Sequence, residues 1–447
     1  MSSIFSSRYL SGYKATFLLA YPVVLSQLGH IMVGVVDTAM VGQIGTMEQA
    51  AVALSNSLYT LVLVFGLGVS YGVTPLVAAA DSSKNFSENA ALLKHGVIIN
   101  TVLGILLFVL LFCLSPVLNL FNQKQEVVDL AIPFLNVMML GMIPLCIFSG
   151  FKQFTEGLSY TRFAMIITIG ANLLNILLNY VMIFGHWGFP KMGLMGSCWA
   201  SFIARVVMAV AMFAYVYYNK TFKPYWVGFS LRNISGDLTK RILAIGVPSG
   251  LQWVFEVGAF AFAVIMIGWI SPKAQAAHQV ALSIAATTYM MASGLSAAAS
   301  VRVGNHAGLK DREGVRMAGF SAFIMVLGFM GICALCFIIF RHQLPVLFNK
   351  DPEVISISSS LLIIAAFFQL SDGTQVVGLG ALRGVKDVKI PTLITLIAYW
   401  AIGLPMSYVF AFKMNLGPQG IWYGLSLGLT MAAVLLFLRF NYVSKRV

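Results

Sequence analysis

The sequence predicts an all-α polytopic membrane protein of about twelve transmembrane helices in two parallel-repeat six-helix lobes. Three observations predict it: the composition, the length of the apolar runs and an internal repeat. Of 447 residues 59% are hydrophobic and only 10% charged, with a mean hydropathy of +0.88. A soluble domain carries about 25% charge. The apolar runs reach the ~20 residues that span a bilayer. They lie at roughly 15–40, 50–79, 93–115, 128–151, 161–185, 193–218, 240–269, 276–304, 314–338, 353–380, 390–413 and 417–440. Almost nothing remains for a soluble domain. Shifted by 226 positions, Pro22 meets Pro248, Gly42 meets Gly268, Ala50 and Ala51 meet Ala276 and Ala277, and Ser57 meets Ser283. Gly68 meets Gly294, Ser70 meets Ser296, and Val77 meets Val303 without a gap. Later, Gly193-x-x-Gly196 answers Gly417-x-x-Gly420.

An even number of spans per repeat keeps both halves in one orientation. That predicts repeats related by an axis along the membrane normal, with a site at or near their interface. The expected division is an N-terminal lobe over 1–218, a polar linker over 219–240 (NKTFKPYWVGFSLRNISGDLTK) and a C-terminal lobe over 241–447.

In chain order, the first span carries Pro22 about two turns in and Asp37 fifteen positions later, in IMVGVVDTAMVG. A proline there removes an intrahelical hydrogen bond and allows a kink. The fifth span holds Asn172, Asn175 and Asn179, the last two on one helix face. Amide oxygens facing a carboxylate complete an oxygen shell for Na⁺ or bond a protonated acid; they also serve as interhelical glue. The sixth span offers the Ser201 hydroxyl and Arg205, a basic residue deep in a span whose partner, headgroup or acid, stays open. The seventh span repeats the proline at Pro248 and carries Glu256 eight positions on. The eighth opens with His278 and Gln279. The ninth contains Cys333 and Cys336, a CxxC in a wholly apolar run that reads as packing. The tenth carries Asp372 in LLIIAAFFQLSDGTQVVGLG, and the eleventh Tyr399 and Trp400, which with Trp253, Phe255 and Tyr289 are candidate aromatic walls.

The three acids carry the functional argument. A carboxylate at membrane depth costs ~2.5–3.5 kcal/mol or more on insertion scales, and is retained where it handles an ion, a proton or a cationic ligand. The net charge of +13 reads as topology rather than nucleic-acid binding. With the N-terminus inside, the outer segments hold only Lys124, Lys191, Lys273, Arg341, Lys350 and Lys413 of the 28 Lys and Arg. That bias puts both termini in the cytoplasm. No signal-type cleavage site follows the polar N-terminus, so an uncleaved chain is expected. The absence of G-x-x-x-x-G-K-[ST] and of H-E-x-x-H excludes a P-loop ATPase and a zincin protease by motif. Nothing filter-like suggests a channel. What remains is a secondary transporter driven by H⁺ or Na⁺, with no cofactor.

The segments YPVVLSQLGHIMVGVVDTAMVG, FTEGLSYTRFAM, VPSGLQWVFEVGAFAF, AAHQVALSIAA and SDGTQVVGLGALRGVKD carry a resemblance over nearly the whole chain. The chain resembles the MATE (multidrug and toxic compound extrusion) family, in its NorM-like branch. The resemblance implies a V-shaped two-lobe fold in the plasma (inner) membrane. It implies export of lipophilic, mostly cationic compounds by a monomer in exchange for Na⁺ or H⁺. It maps a second-lobe cation site, with Na⁺ as one candidate ion, onto Glu256 and Asp372. It maps a first-lobe site onto Asp37, Asn175, Asn179 and Ser201, and substrate contacts onto Ser57 and Gln279. Competition between drug and cation adds Asp37, Glu256 and Asp372 to the substrate-binding set. Phe368 occupies a place where some relatives have a tyrosine, which removes one oxygen ligand. The rivals are a lipid-linked-precursor flippase, an intramembrane enzyme and a receptor. The flippase needs basic cavity residues, against three deep acids and one Arg205 here.

Overall fold

Among the described residues, twelve helices have the length and apolarity to cross a bilayer. They are α1 Gly12–Gly42, α2 Thr46–Ser82, α3 Phe86–Asn119, α4 Gln125–Gly157, α5 Arg162–Phe184, α6 Leu194–Tyr218, α7 Gly236–Gly268, α8 Pro272–Gly308, α9 Arg312–Ile339, α10 Pro352–Gly384, α11 Lys389–Lys413 and α12 Gly417–Val443. The structure is a computed structural model, described for residues 7–120, 124–226 and 234–447. Of the polar segment expected as a linker, residues 219–226 and 234–240 are described. Residues 227–233, including Arg232, lie outside the described residues.

Local chemistry sets where these helices start. Asn85 accepts from the Glu88 N–H ahead of α3, and Ser271 from the Ala274 N–H ahead of α8. Asp311 and Asp351 cap α9 and α10 in the same way. Each cap satisfies an otherwise orphaned donor, and Pro272 and Pro352 sit in the first turn, where no N–H is needed. Gly193 and Gly417, which open α6 and α12, hold φ of 55° and 58°, a left-handed backbone that suits glycine.

The helices overrun the apolar stretches, and this corrects one expectation. The first helix begins at Ser7, so Pro22 lies about four turns in rather than two. The seventh begins at Gly236, more than three turns before Pro248. Hydropathy detects the lipid-facing core of a helix; the polar turns that continue it carry no such signal. Three spans are also irregular. α2 breaks between Ser70 and Thr74, α4 breaks at Gly141, and α11 widens into π-helical turns at Ile397–Gly403 and Val409–Lys413.

The chain forms two compact units, one of Leu25–Gly250 and one of Met1–Val24 with Leu251–Val447. Both boundaries fall two residues after a proline, Pro22 or Pro248, and the 226 shift superimposes them. Each unit thus takes the front segment of the other repeat's first helix. The first unit packs around Tyr59, Leu107, Leu111, Phe134, Leu135 and Cys198. The second holds one core around Phe368, Tyr399, Trp422 and Leu425 and another around Phe323, Met330, Leu382 and Phe440.

The repeat seen in sequence is also a repeat of contacts. A Cβ on Gly157 would meet Val77 Cβ at 2.7 Å, and one on Gly384 would meet Val303 Cβ at 2.8 Å. A Cβ on Gly68 would lie 2.5 Å from Gly250 Cα in the first unit. In the second, one on Gly294 would lie 2.9 Å from Val24 N. These small residues let the front segments of α7 and α1 approach closely, as helix pairs in lipid require. Buried Arg302 adds a polar tie, donating to the Gly12 carbonyl at 2.8 Å and to the Thr16 hydroxyl at 2.6 Å.

Candidate functional site

In the first unit, Asp37 on α1 meets Asn175 and Asn179 on α5 and Ser201 on α6. Asn179 sits one turn beyond Asn175, so both amides leave the same helix face. The Asn179 N–H donates to Asp37 Oδ1. The orientation that satisfies both ends of the Asn175 amide turns its nitrogen to Asp37 Oδ1, donating at 3.0 Å, and its oxygen to Ser201, whose N–H and hydroxyl donate at 3.3 and 3.2 Å. Both amides thus present N–H groups to the Asp37 carboxylate. Asn179 Oδ1 is buried with no hydrogen-bond partner among the described residues, which leaves an unpaired oxygen near the carboxylate.

Among the described residues, Arg205 forms no ion pair with an acid. Its guanidinium donates to Tyr59 Oη and to the Met138 carbonyl, and stacks 5.3 Å over the Tyr59 ring. Gly141, at the break in α4, makes room: a Cβ there would meet Arg205 Nη1 at 2.8 Å. The spare positive charge is held on aromatic and backbone groups, close enough to act on Asp37 through space.

In the second unit, Glu256 on α7 and Asp372 on α10 are both buried and interact electrostatically. Glu256 Oε2 accepts from the Gln375 amide at 3.3 Å, and the Tyr289 hydroxyl also bonds this carboxylate. Tyr399 Oη donates to Gln375 Oε1 at 2.7 Å. Tyr399 lies in the π-helical stretch of α11, a wide turn of the kind frequent at functional sites. Gln252 ties α7 to α11 by donating to Thr392 Oγ1 at 2.9 Å. The proposed aromatic walls divide: Trp253 packs edge-on to Tyr289 at 6.4 Å, and Trp400 donates its indole N–H to the Phe255 carbonyl. Phe368 packs on Phe260 at 6.1 Å and Trp422 at 5.7 Å, adding apolar surface and no oxygen.

Ser57 is exposed on α2 with its hydroxyl turned onto the Leu54 carbonyl, and Gln279 is exposed on α8. Neither is hydrogen-bonded to the carboxylate cluster of its own unit. The sequence reading missed Gln375 and saw Tyr399 only as a wall. A signal was present: Gln369, Asp372 and Gln375 recur every three residues in a mostly apolar span, marking a polar stripe on α10.

Among the described residues no group of three or more His, Cys, Asp or Glu has metal-site geometry. Both clusters instead present carboxylates with neutral amide and hydroxyl groups. That donor set suits a hard monovalent cation or a proton as cargo.

A family model described as MatE matches residues 22–181 and matches again at 248–409. The chain belongs to the MATE family. The two matches start 226 positions apart, the spacing of the internal repeat. The MATE chain is 32% identical over 444 residues to the multidrug resistance protein MdtK of Yersinia pseudotuberculosis serotype O:1b, covering 98% of this chain and 97% of that one. The MdtK protein of Yersinia enterocolitica serotype O:8 is 32% identical over the same share. Its fold is that of solved MATE transporters. The eukaryotic MATE transporter AtDTX14 superposes with a TM-score of 0.88 at 20% identity, over 98% of each chain. An outward-facing multidrug resistance MATE family transporter superposes with a TM-score of 0.89 at 19% identity, over 100% and 99%.

Proposed function

We propose that this MATE chain is a secondary active multidrug efflux antiporter of the inner membrane. It exports lipophilic, mostly cationic compounds in exchange for Na⁺ or H⁺. It works as a monomer with both termini and the 219–240 segment in the cytoplasm. One observation carries the reading: Asp37 and Glu256 each accept hydrogen bonds from side-chain amides inside mostly apolar spans, and buried Asp372 interacts electrostatically with Glu256. Full-length similarity to proteins named for multidrug resistance supplies the substrate class.

The chemistry follows from the clusters. An ionised Asp37, or the Glu256–Asp372 pair, attracts a cationic drug. A coupling cation at the same carboxylates removes that attraction, so the two compete. Asn175 and Asn179 on one side, and Gln375 on the other, supply hydrogen bonds to the carboxylates. Glu256 and Asp372 share one positive charge more readily than they bear two negative ones. Ser57 and Gln279 contribute contacts along the drug's path. Exchange requires that cation and drug prefer different conformational states, the differential binding that couples their movements.

Dye accumulation in cells overexpressing the chain tests this directly. Lower accumulation than in vector controls, restored by Asp37→Asn, supports export. Equal accumulation in both strains, as a flippase, enzyme or receptor would give, refutes it.

A further inference from the structure

Gln369 on α10 is fully buried, and neither its amide oxygen nor its nitrogen has a hydrogen-bond partner among the described residues. Burying an amide unpaired costs about 1–3 kcal/mol on protein scales. An apolar side chain of similar size would fill the space without that cost, so the amide needs a reason to be there.

Its surroundings supply one. Gln369 lies three residues before Asp372, on the same face of α10. α10 packs parallel to α8 in a register fixed at two levels. Ser358 Oγ donates to the Ala277 carbonyl at 3.3 Å, and Ser296 Oγ donates to the Val376 carbonyl at 2.6 Å, offsets of 81 and 80 residues. That register sets Gln369 level with Thr288 and Tyr289, and Tyr289 bonds Glu256. The preceding residue, Phe368, turns its ring to Phe260 and Trp422. The polar groups near Asp372 thus continue on the α8 side.

The two orphaned atoms make opposite demands. The oxygen needs a cation or a hydrogen-bond donor, and the N–H group needs an acceptor. A bare ion meets only the first demand. A cation that keeps part of its water meets both.

We propose that Gln369 is a further ligand of the Glu256–Asp372 site, where it binds the coupling cation together with a water: Na⁺ with a first-shell water, or, for H⁺, a water held beside a protonated Asp372. The inference rests on the coupling role proposed above for Glu256 and Asp372.

The test uses the full-length protein in proteoliposomes, with Gln369→Leu and Gln369→Met, both close to glutamine in size. Dye efflux is titrated with NaCl against choline chloride at fixed pH, and with pH at fixed NaCl. Melting temperature is followed in the same two titrations. The expected result is a tenfold or greater rise in half-saturating cation for both variants, in the arm that drives the wild type. Stabilisation by that cation is lost in parallel. The Na⁺ arm and the pH arm tell the two sources apart. Unchanged half-saturation in both arms, with a higher melting temperature whatever the cation, overturns the inference: the amide is then only a buried polar group. If Asp372→Asn removes cation-driven efflux and the Gln369 variants leave half-saturation unchanged, Gln369 alone is excluded. If Asp372→Asn also leaves cation-driven efflux unchanged, the coupling role falls with it.

Discussion

Tyr399 donates its hydroxyl hydrogen to the side-chain oxygen of Gln375 at 2.7 Å. The bond fixes which end of the amide turns to Glu256: the N–H end, at 3.3 Å. Gln375 therefore favours an ionised Glu256. Without Tyr399 the amide is free to turn and offer its oxygen, which suits a protonated acid.

Tyr399→Phe is accordingly expected to shift the half-saturating coupling cation by about threefold to tenfold, upward if it is Na⁺ and downward if it is H⁺, the range for losing one hydrogen bond of roughly 1 kcal/mol. The readout is half-saturating cation in dye efflux, with the fold checked by melting temperature. An unchanged value would make the hydroxyl a packing group only.

Gly68→Ala and Gly294→Ala act at equivalent places of the repeat. The new Cβ would press on Gly250 Cα at 2.5 Å in the first case and on the Val24 side chain in the second. Each should lower stability by about 1–3 kcal/mol, the usual cost of overpacking, seen as an earlier thermal transition. Wild-type transitions for both would mean that these crossings yield without cost.

How much of this was legible in the sequence depended on the kind of signal. Twelve spans and the repeat were legible because lipid demands long apolar runs and because Pro22, Gly68 and Val77 recur as Pro248, Gly294 and Val303. The grouping of Asn175 with Asn179 follows from their spacing of four. The partner of Arg205 was not legible, because Tyr59 and Met138 are 146 and 67 residues away. Tyr399 was misjudged because a π-helical turn resets the helix phase, so no regular periodicity points its hydroxyl at Gln375. Helix ends were misplaced because polar turns beyond the bilayer core carry no hydropathy.

A cysteine at Ser235, an exposed residue just ahead of α7, reports the topology. The surplus of Lys and Arg predicts no labelling by an impermeant thiol reagent outside intact cells, and labelling after permeabilisation. Labelling from outside would invert the orientation.

Glu256→Gln and Asp372→Asn should each remove cation-driven efflux, and the double variant should be little worse than either. Two carboxylates that share one cation behave as a unit, so their effects do not multiply. Small single losses that multiply in the double variant would point to two independent sites.

The most direct measurement is dye efflux from proteoliposomes under an imposed Na⁺ gradient and then an imposed H⁺ gradient. The wild type should accelerate under at least one. Asp37→Asn should lose that acceleration while remaining folded in the bilayer. Efflux that ignores both gradients, or an Asp37→Asn protein that responds as the wild type does, would contradict cation exchange at the buried carboxylates.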